Sequence, residues 1–297
     1  MTDRPSPIGP GQLAQLACLL EATARKPGNV HRFRDFDDAH YLDFLLSASA
    51  IAGPLELAAG APLGLTILRA VEATKRLVAS NTNLGMILLL APMAAVPIGR
   101  ELREGLTGVL ESTTVEDAGL AYRAIRLASP GGLGKADDQD VHQEPTINLR
   151  ETMRLAADRD LVARQYAFNF IDVFERTLPR FRESINRGRL IEIGIMDAYL
   201  DALAHRPDTL IARKRGEATA LEASSRAVRV LELGWPDTAD GSRELAEFDA
   251  WLRLDGHARN PGATADLITA ALFAALRDGT IRLPLSEAWS HSPNVEN

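Results

Sequence analysis

Ala263-Thr-Ala-Asp-Leu-Ile-Thr-Ala-Ala-Leu-Phe-Ala-Ala-Leu276 decides the fold class. Ala263, Leu267, Ala270, Ala271 and Ala274 recur at helical steps and form one stripe. Leu272, Phe273 and Leu276 fill other sides, so the helix is apolar nearly all round and belongs in the interior. Working outward, Ile191, Ile195, Tyr199 and Ala202 share a second helical face, with Asp197 and Asp201 off it. Thr114-Val-Glu-Asp117 and Asp37-Asp-Ala-His40 place acidic and hydroxyl residues before apolar runs, where they cap free N–H groups and oppose the helix dipole. Pro261-Gly-Ala-Thr opens the last helix, with Pro tolerated in a first turn. Alternating β-branched runs are almost absent. The reading is an all-α protein of roughly ten to thirteen helices, with residues 1–297 as a single large multi-helix domain carrying a long active-site loop.

Composition bounds the function. The chain has 297 residues, 46% hydrophobic and 25% charged, enough to bury a sizeable core. A net charge of -7 gives no overall field toward DNA or RNA, although a local cluster of Lys and Arg can still hold an anionic small molecule. Leu77–Gly99 carries no charge, but Ser80-Asn-Thr-Asn83 occupies one end, and Pro92 and Pro97 interrupt the other. That is short of the about 20 apolar residues a spanning helix needs. A central helix enclosed by protein is expected, and no membrane. The lone Cys18 sits on an apolar helix face and suits core packing. With no apolar signal stretch after Met1, the expected location is the cytoplasm.

The polar chemistry is concentrated in a few segments. Ser129–Thr146 is about as long as structureless loops become in compact domains, and such loops are commonly functional. Its Gly-Lys pair lacks the first Gly and the final Ser/Thr of a P-loop, and no strand precedes it, but Lys135 could still meet phosphate. In Glu21–Asp35, Lys26, His31, Arg32 and Arg34 surround the Pro27-Gly28 turn, a set that suits phosphate oxygens or serves only as a solvated basic loop. Asp35 there could hold Mg²⁺ or pair with a neighbouring Arg. Asn81, Thr82 and Asn83 precede the most apolar helix, as caps or as donors to a ligand. Arg213-Lys-Arg-Gly-Glu217 can receive a polyphosphate, with Glu217 as metal ligand or base, or can be a basic helix end capped by Gly. Asn260-Pro-Gly-Ala-Thr-Ala-Asp-Leu267 leaves Asp266 on an apolar helix, where a carboxylate is costly unless paired or metal-bound. The six histidines have no metal-ligand spacing, and no Gly-x-Ser-x-Gly elbow is present.

Taken in order, these segments resemble the triphosphoribosyl-dephospho-CoA synthase family. Lys26-Pro-Gly-Asn-Val30, Asn81-Thr-Asn-Leu-Gly85, Arg215-Gly-Glu-Ala218 and Asn260-Pro-Gly-Ala-Thr-Ala-Asp-Leu267 are similar to that family's motifs, and the likeness extends from about residue 21 to 276. The resemblance implies an all-helical transferase that takes ATP, releases adenine and joins the ribose triphosphate to a hydroxyl of 3'-dephospho-CoA. It further implies Mg²⁺ on the phosphates. Lys26, Arg213 and Arg215 would hold phosphates, and Asn81 and Asn83 would orient ribose or base. Asp35, Glu217 or Asp266 would bind the metal or act as the base. Asn29, His31, Arg32, Thr82, Lys135 and Asn260 would complete the substrate contacts. The partners expected are a nucleotide, an anionic acceptor and a second copy of the chain in a homodimer.

One departure stands out: Asn83-Leu84 replaces the family's His-Lys pair. The loop Gly131–Asp140 resembles a divergent branch from archaea and some methylotrophic bacteria. An alternative acceptor is therefore a tetrahydromethanopterin precursor, and a second alternative is a non-catalytic nucleotide-binding protein.

Overall fold

A computed structural model describes residues 8–131, 134, 136, 138–285 and 289. Among them are fourteen α-helices, one π-helical turn and no strand. In chain order the helices are α1 (Pro10–Thr23), α2 (Tyr41–Glu56), α3 (Leu63–Lys75), α4 (Leu84–Ala95), α5 (Leu102–Glu111), α6 (Val115–Ala128) and α7 (Leu149–Ala156). They continue as α8 (Leu161–Ala167), α9 (Leu178–Asn186), α10 (Ile191–His205), α11 (Thr209–Arg215), α12 (Glu217–Glu232), α13 (Ala239–Leu252) and α14 (Gly262–Arg277). The π-turn, Val173–Thr177, runs into α9. The all-α reading holds, with slightly more helices than the start signals indicate.

The opening stretch is α14, and it is the axis of the molecule. Every residue from Leu267 to Leu276 is buried. Packed around it are α1, α4, α8, α9, α10, α11 and the π-turn. Small residues let the outer pairs close: a Cβ on Gly11 would lie 2.0 Å from the Ala52 carbonyl of α2, and one on Gly64 would lie 2.4 Å from the Asp117 carbonyl of α6. The expected capping box at α6 forms, with Asp117 N–H on Thr114 Oγ1 at 3.1 Å and Thr114 N–H on Asp117 Oδ2 at 2.9 Å. The α10 face Ile191, Ile195, Tyr199 and Ala202 is buried as expected. Asp197 is buried with it, compensated by Arg180 at 3.2 Å.

The uncharged segment behaves differently from its sequence reading at one point. α4 continues through Pro92 instead of stopping there. Proline removes the N–H that would satisfy the carbonyl of residue 88. The fully buried Tyr166 hydroxyl donates to the Leu88 carbonyl at 2.6 Å and replaces that bond. α4 is twelve residues long, and no helix among the described residues is long and apolar enough to cross a membrane. Cys18 is buried in the core, where desolvation pushes its thiol pKa up, and it is inert packing.

Candidate functional site

The four polar segments converge on the N-terminal end of α14. The turn Asn260–Pro261–Gly262 enters that helix, and the Asn29 side-chain amide bonds to Asn260 Oδ1. The Lys26–Val30 turn is clamped from α13: the Gly28 N–H donates to Asp249 Oδ1 at 2.7 Å, and Arg253 donates to the Asn29 carbonyl at 2.8 Å. Gly28 has φ +75°, a conformation open to glycine at little cost, and a Cβ there would meet Leu252. The third segment arrives through Asp208. This buried carboxylate accepts from Leu210 and Ile211 N–H at the start of α11 (2.8 and 3.1 Å). It also accepts from Thr264 N–H and Oγ1 at the start of α14 (2.7 and 2.8 Å). One aspartate thereby caps two helices and fixes their angle. The second segment closes the group, because Gly85 at the head of α4 lies against Asp266.

Asp266 is the unusual member. It keeps part of its surface open, yet protein packs densely around its carboxyl group. It has no hydrogen bond or ion pair among the described residues. Desolvation, reinforced by the negative charges of Glu21, Asp208 and Asp160, pushes its pKa well above the usual aspartate range, against a smaller opposing pull from Arg213. An unpaired, partly open carboxyl with a raised pKa is suited to accept a proton from a bound molecule.

Several residues expected to touch substrate are instead engaged by the protein. Lys26 is fully buried, 2.9 Å from Glu21 Oε1, and also donates to the Glu21 and Ala24 carbonyls. It is an internal cation, not a phosphate contact in this arrangement. Arg32 grips both oxygens of the buried Glu192 at 2.8 and 2.9 Å, and Arg25 joins at 3.2 Å. His31 is buried, and desolvation, helped by the charges of Arg253 and Lys26, pushes its pKa down to about 4. It is neutral at physiological pH and adds no positive charge. Asp35 is exposed and accepts the Tyr41 N–H at 2.6 Å, a cap at the approach to α2. Thr82 bonds to Ser47 Oγ, and Asn83 reaches Thr74 Oγ1 at 3.1 Å and the Ser47 carbonyl at 3.4 Å, tying α2, α3 and α4 together. Asn81 caps the Leu84 N–H at 3.2 Å.

Arg213 pairs with Asp160 at 2.6 Å and Arg215 with Asp255 at 2.7 Å, while Glu217 is exposed at the head of α12. Asp35, Glu217 and Asp266 do not come together as one metal site: no group of three or more His, Cys, Asp or Glu able to hold a metal exists among the described residues. Lys135 lies outside the described residues. Gln139 and Val141 of the long loop are tied to α6, with the Tyr122 hydroxyl on the Gln139 carbonyl at 2.6 Å and Arg126 on the Val141 carbonyl.

Sequence reasoning missed Asp208, Asp249 and Arg253. Asp208 carries a readable signal, an N-cap letter before Thr209-Leu-Ile, but its second bond, to Thr264, joins residues 56 apart and has no local trace. Asp249 and Arg253 stand at the i, i+4 spacing of a helical ion pair and are 2.9 Å apart.

A separate cavity of about 910 Å³ lies at the opposite end of α14, with Arg100, Arg103, Arg182, Arg277 and Arg282 in its lining. Arg277 there is spent on the carbonyls of Met93, Val96, Pro97 and Arg100, and Arg103 and Arg182 are in ion pairs. None of the four polar segments reaches it, so volume alone does not mark the site.

Gly85 gives a direct check of the site. A Cβ there would lie 2.0 Å from Asp266 Oδ2, so Gly85→Ala must push the carboxylate aside. A misplacement of that size in a reacting group costs on the order of 10²-fold in rate. Turnover is expected to fall by about that factor while circular dichroism stays helical.

The family pattern of the ATP:dephospho-CoA triphosphoribosyl transferases matches residues 9–283. No curated protein matches the chain. Among solved structures, the chain is similar to an Archaeoglobus fulgidus protein named as a triphosphoribosyl-dephospho-CoA synthase. The two are 26% identical, the likeness covers 79% of this chain and 99% of that one, and the TM-score is 0.62. With the family pattern spanning all fourteen described helices, the chain belongs to the ATP:dephospho-CoA triphosphoribosyl transferase family.

Proposed function

We propose that the α14 N-terminal site joins the ribose triphosphate of ATP to a hydroxyl of 3'-dephospho-CoA, with Asp266 at the reacting centre. The observation that carries this is the unpartnered Asp266 carboxyl, held against Gly85 where all four polar segments meet. In the reaction the acceptor oxygen bonds to ribose C1 as the bond from C1 to adenine breaks. Asp266 takes the acceptor's proton, and the departing adenine takes up one in exchange, so charge and protons balance. Positive charge developing on the ribose is stabilised by the same carboxylate. The Asn29–Asn260 contact and the Asp249–Arg253 clamp hold the glycine turn that shapes the ribose side of the site.

An ATP-using transferase of this family works with a divalent cation. Because the described residues offer no ligand cage, Mg²⁺ is assigned to the nucleotide's own phosphates. Bound there, the ion would neutralise phosphate charge.

Purified protein given ATP, Mg²⁺ and dephospho-CoA is expected to release free adenine and to yield an adduct heavier than dephospho-CoA by one ribose triphosphate, read by mass spectrometry. Adenine release that appears only with a different hydroxyl acceptor would move the acceptor and keep the donor chemistry. Tight ATP binding with no adenine under either condition would sink the transferase assignment.

A further inference from the structure

Three consecutive cations, Arg213, Lys214 and Arg215, end α11. The two arginines are committed to the protein, Arg213 to Asp160 and Arg215 to Asp255. Lys214 has no hydrogen bond or ion pair among the described residues. It is nevertheless partly buried. Its position follows from the helix: Leu210 lies one turn earlier on the same face and packs on the turn that starts α14, where a Cβ on Gly262 would come within 2.7 Å of Leu210 Cδ2. Lys214 therefore projects along the side of α11 that faces the site, about 6 Å farther along the helix than Leu210.

Two loops flank it. From the long glycine-rich loop, Gly131 approaches so closely that an added Cβ would be 3.6 Å from Lys214 Cε. From the His31–His40 stretch, Asp38 lies within Coulombic range of Lys214 without pairing to it. That stretch is held by His257, which stacks on Phe36 with ring centroids 4.7 Å apart and approaches Asp38 Oδ1 at 3.4 Å. Burial lowers the Lys214 pKa, and Asp38 works in the opposite direction. A lysine that is desolvated and unpaired carries an uncompensated cost, which a polyphosphate would relieve.

We propose that Lys214 is the donor-phosphate contact of this site, and that Asp38 is the protein's own anion which a nucleotide's phosphates replace at its side. This deepens the proposed function and rests on it. Arg213 and Arg215, the residues that the motif alone singles out, set the direction of α11 through Asp160 and Asp255.

The test is a double-mutant cycle read as ATP dissociation constants by calorimetry in Mg²⁺ buffer, with adenosine as the phosphate-free probe. Lys214→Met is expected to weaken ATP binding about tenfold or more, the worth of one charge-assisted contact. Adenosine binding should stay the same. Asp38→Asn, which removes the competing anion, is expected to tighten ATP binding a few-fold in the parent and to have no effect in Lys214→Met. ATP binding unchanged in Lys214→Met overturns the proposal, and so does an equal loss of ATP and adenosine, which reports a structural defect. A tightening by Asp38→Asn that persists in Lys214→Met overturns the Asp38 part. If the parent releases adenine with dephospho-CoA while Lys214→Met binds ATP normally, only the Lys214 role falls. If the parent does not bind ATP, the donor assignment fails and this proposal fails with it.

Discussion

Asp266→Asn is expected to lower turnover by about a thousandfold, within the range of removing a positioned general base, and at the same time to make the protein more stable at neutral pH. The two effects have one cause. Desolvation, with the charges of Glu21, Asp208 and Asp160, raises the folded-state pKa of Asp266 above its unfolded value. The folded protein thus binds a proton more tightly than the unfolded chain does. That contribution to stability is complete below the unfolded pKa and is lost as pH rises through the folded one. An asparagine of nearly the same size has no charge to desolvate and escapes this loss. Denaturant melts of the two proteins should therefore diverge as pH rises, with the variant ahead. The acid limb of the parent's pH–rate profile should lie above the ordinary carboxylate range and disappear from the variant's residual activity. A variant that keeps a tenth of parental turnover would remove Asp266 from the reacting centre. A variant less stable at every pH would mean that the carboxylate has a partner which its surroundings do not show. Strain of this kind, held where a reaction needs it and compensated elsewhere, is common at active sites.

The helices were readable because their causes are local. The α14 stripe, the α10 face and the Thr114–Asp117 box each depend on residues three or four apart, and each formed as expected. Segments 26–30 and 81–85 do meet 260–267, and the third segment joins them through Asp208 and Leu210, just upstream of its cations. What residue types could not convey is which member of each segment faces the ligand. Lys26 and Arg32 look like phosphate grips until Glu21 and Glu192, the latter more than 150 positions away, are seen to claim them. Arg213 and Arg215 carry the stronger phosphate chemistry on paper, and both are paired, while Lys214 between them is not. Asp35 and Glu217 are exposed, and of the three candidate carboxylates Asp266 is the one that lies against Gly85 at the head of α4. A charged side chain's role depends on the partner that reaches it through the fold, and that partner leaves no mark at i±4.

Asp208→Ala is expected to cost about 3 kcal/mol of stability, the largest loss from any single polar side chain at the site. The sum has two parts. Asp208 caps α11 through Leu210 and Ile211 and caps α14 through Thr264, and each lost cap is worth about 1 kcal/mol. Two of the residues whose N–H groups are left behind, Ile211 and Thr264, are buried, and donors stranded in that way add about 1 kcal/mol or more. Opposing this, desolvation raises the Asp208 pKa despite the Thr264 hydrogen bonds that lower it, so the charged form is not held without penalty. Alanine removes that penalty too, which keeps the total below the simple sum of four hydrogen bonds. Asp208→Asn separates the contributions, because its amide has one acceptor oxygen for what are now two helix starts. It should retain one cap and fall between parent and alanine. Urea denaturation with an unchanged m-value would measure both. The consequence for activity follows from position. Thr264 lies two residues before Asp266, and Leu210 lies one turn before Lys214, so a single carboxylate sets Asp266 and Lys214, the proposed reacting group and phosphate contact, relative to each other. Turnover should therefore drop in Asp208→Asn even at temperatures where that variant is fully folded. Parental turnover in a folded Asp208→Asn would show that α11 and α14 keep their angle through packing alone.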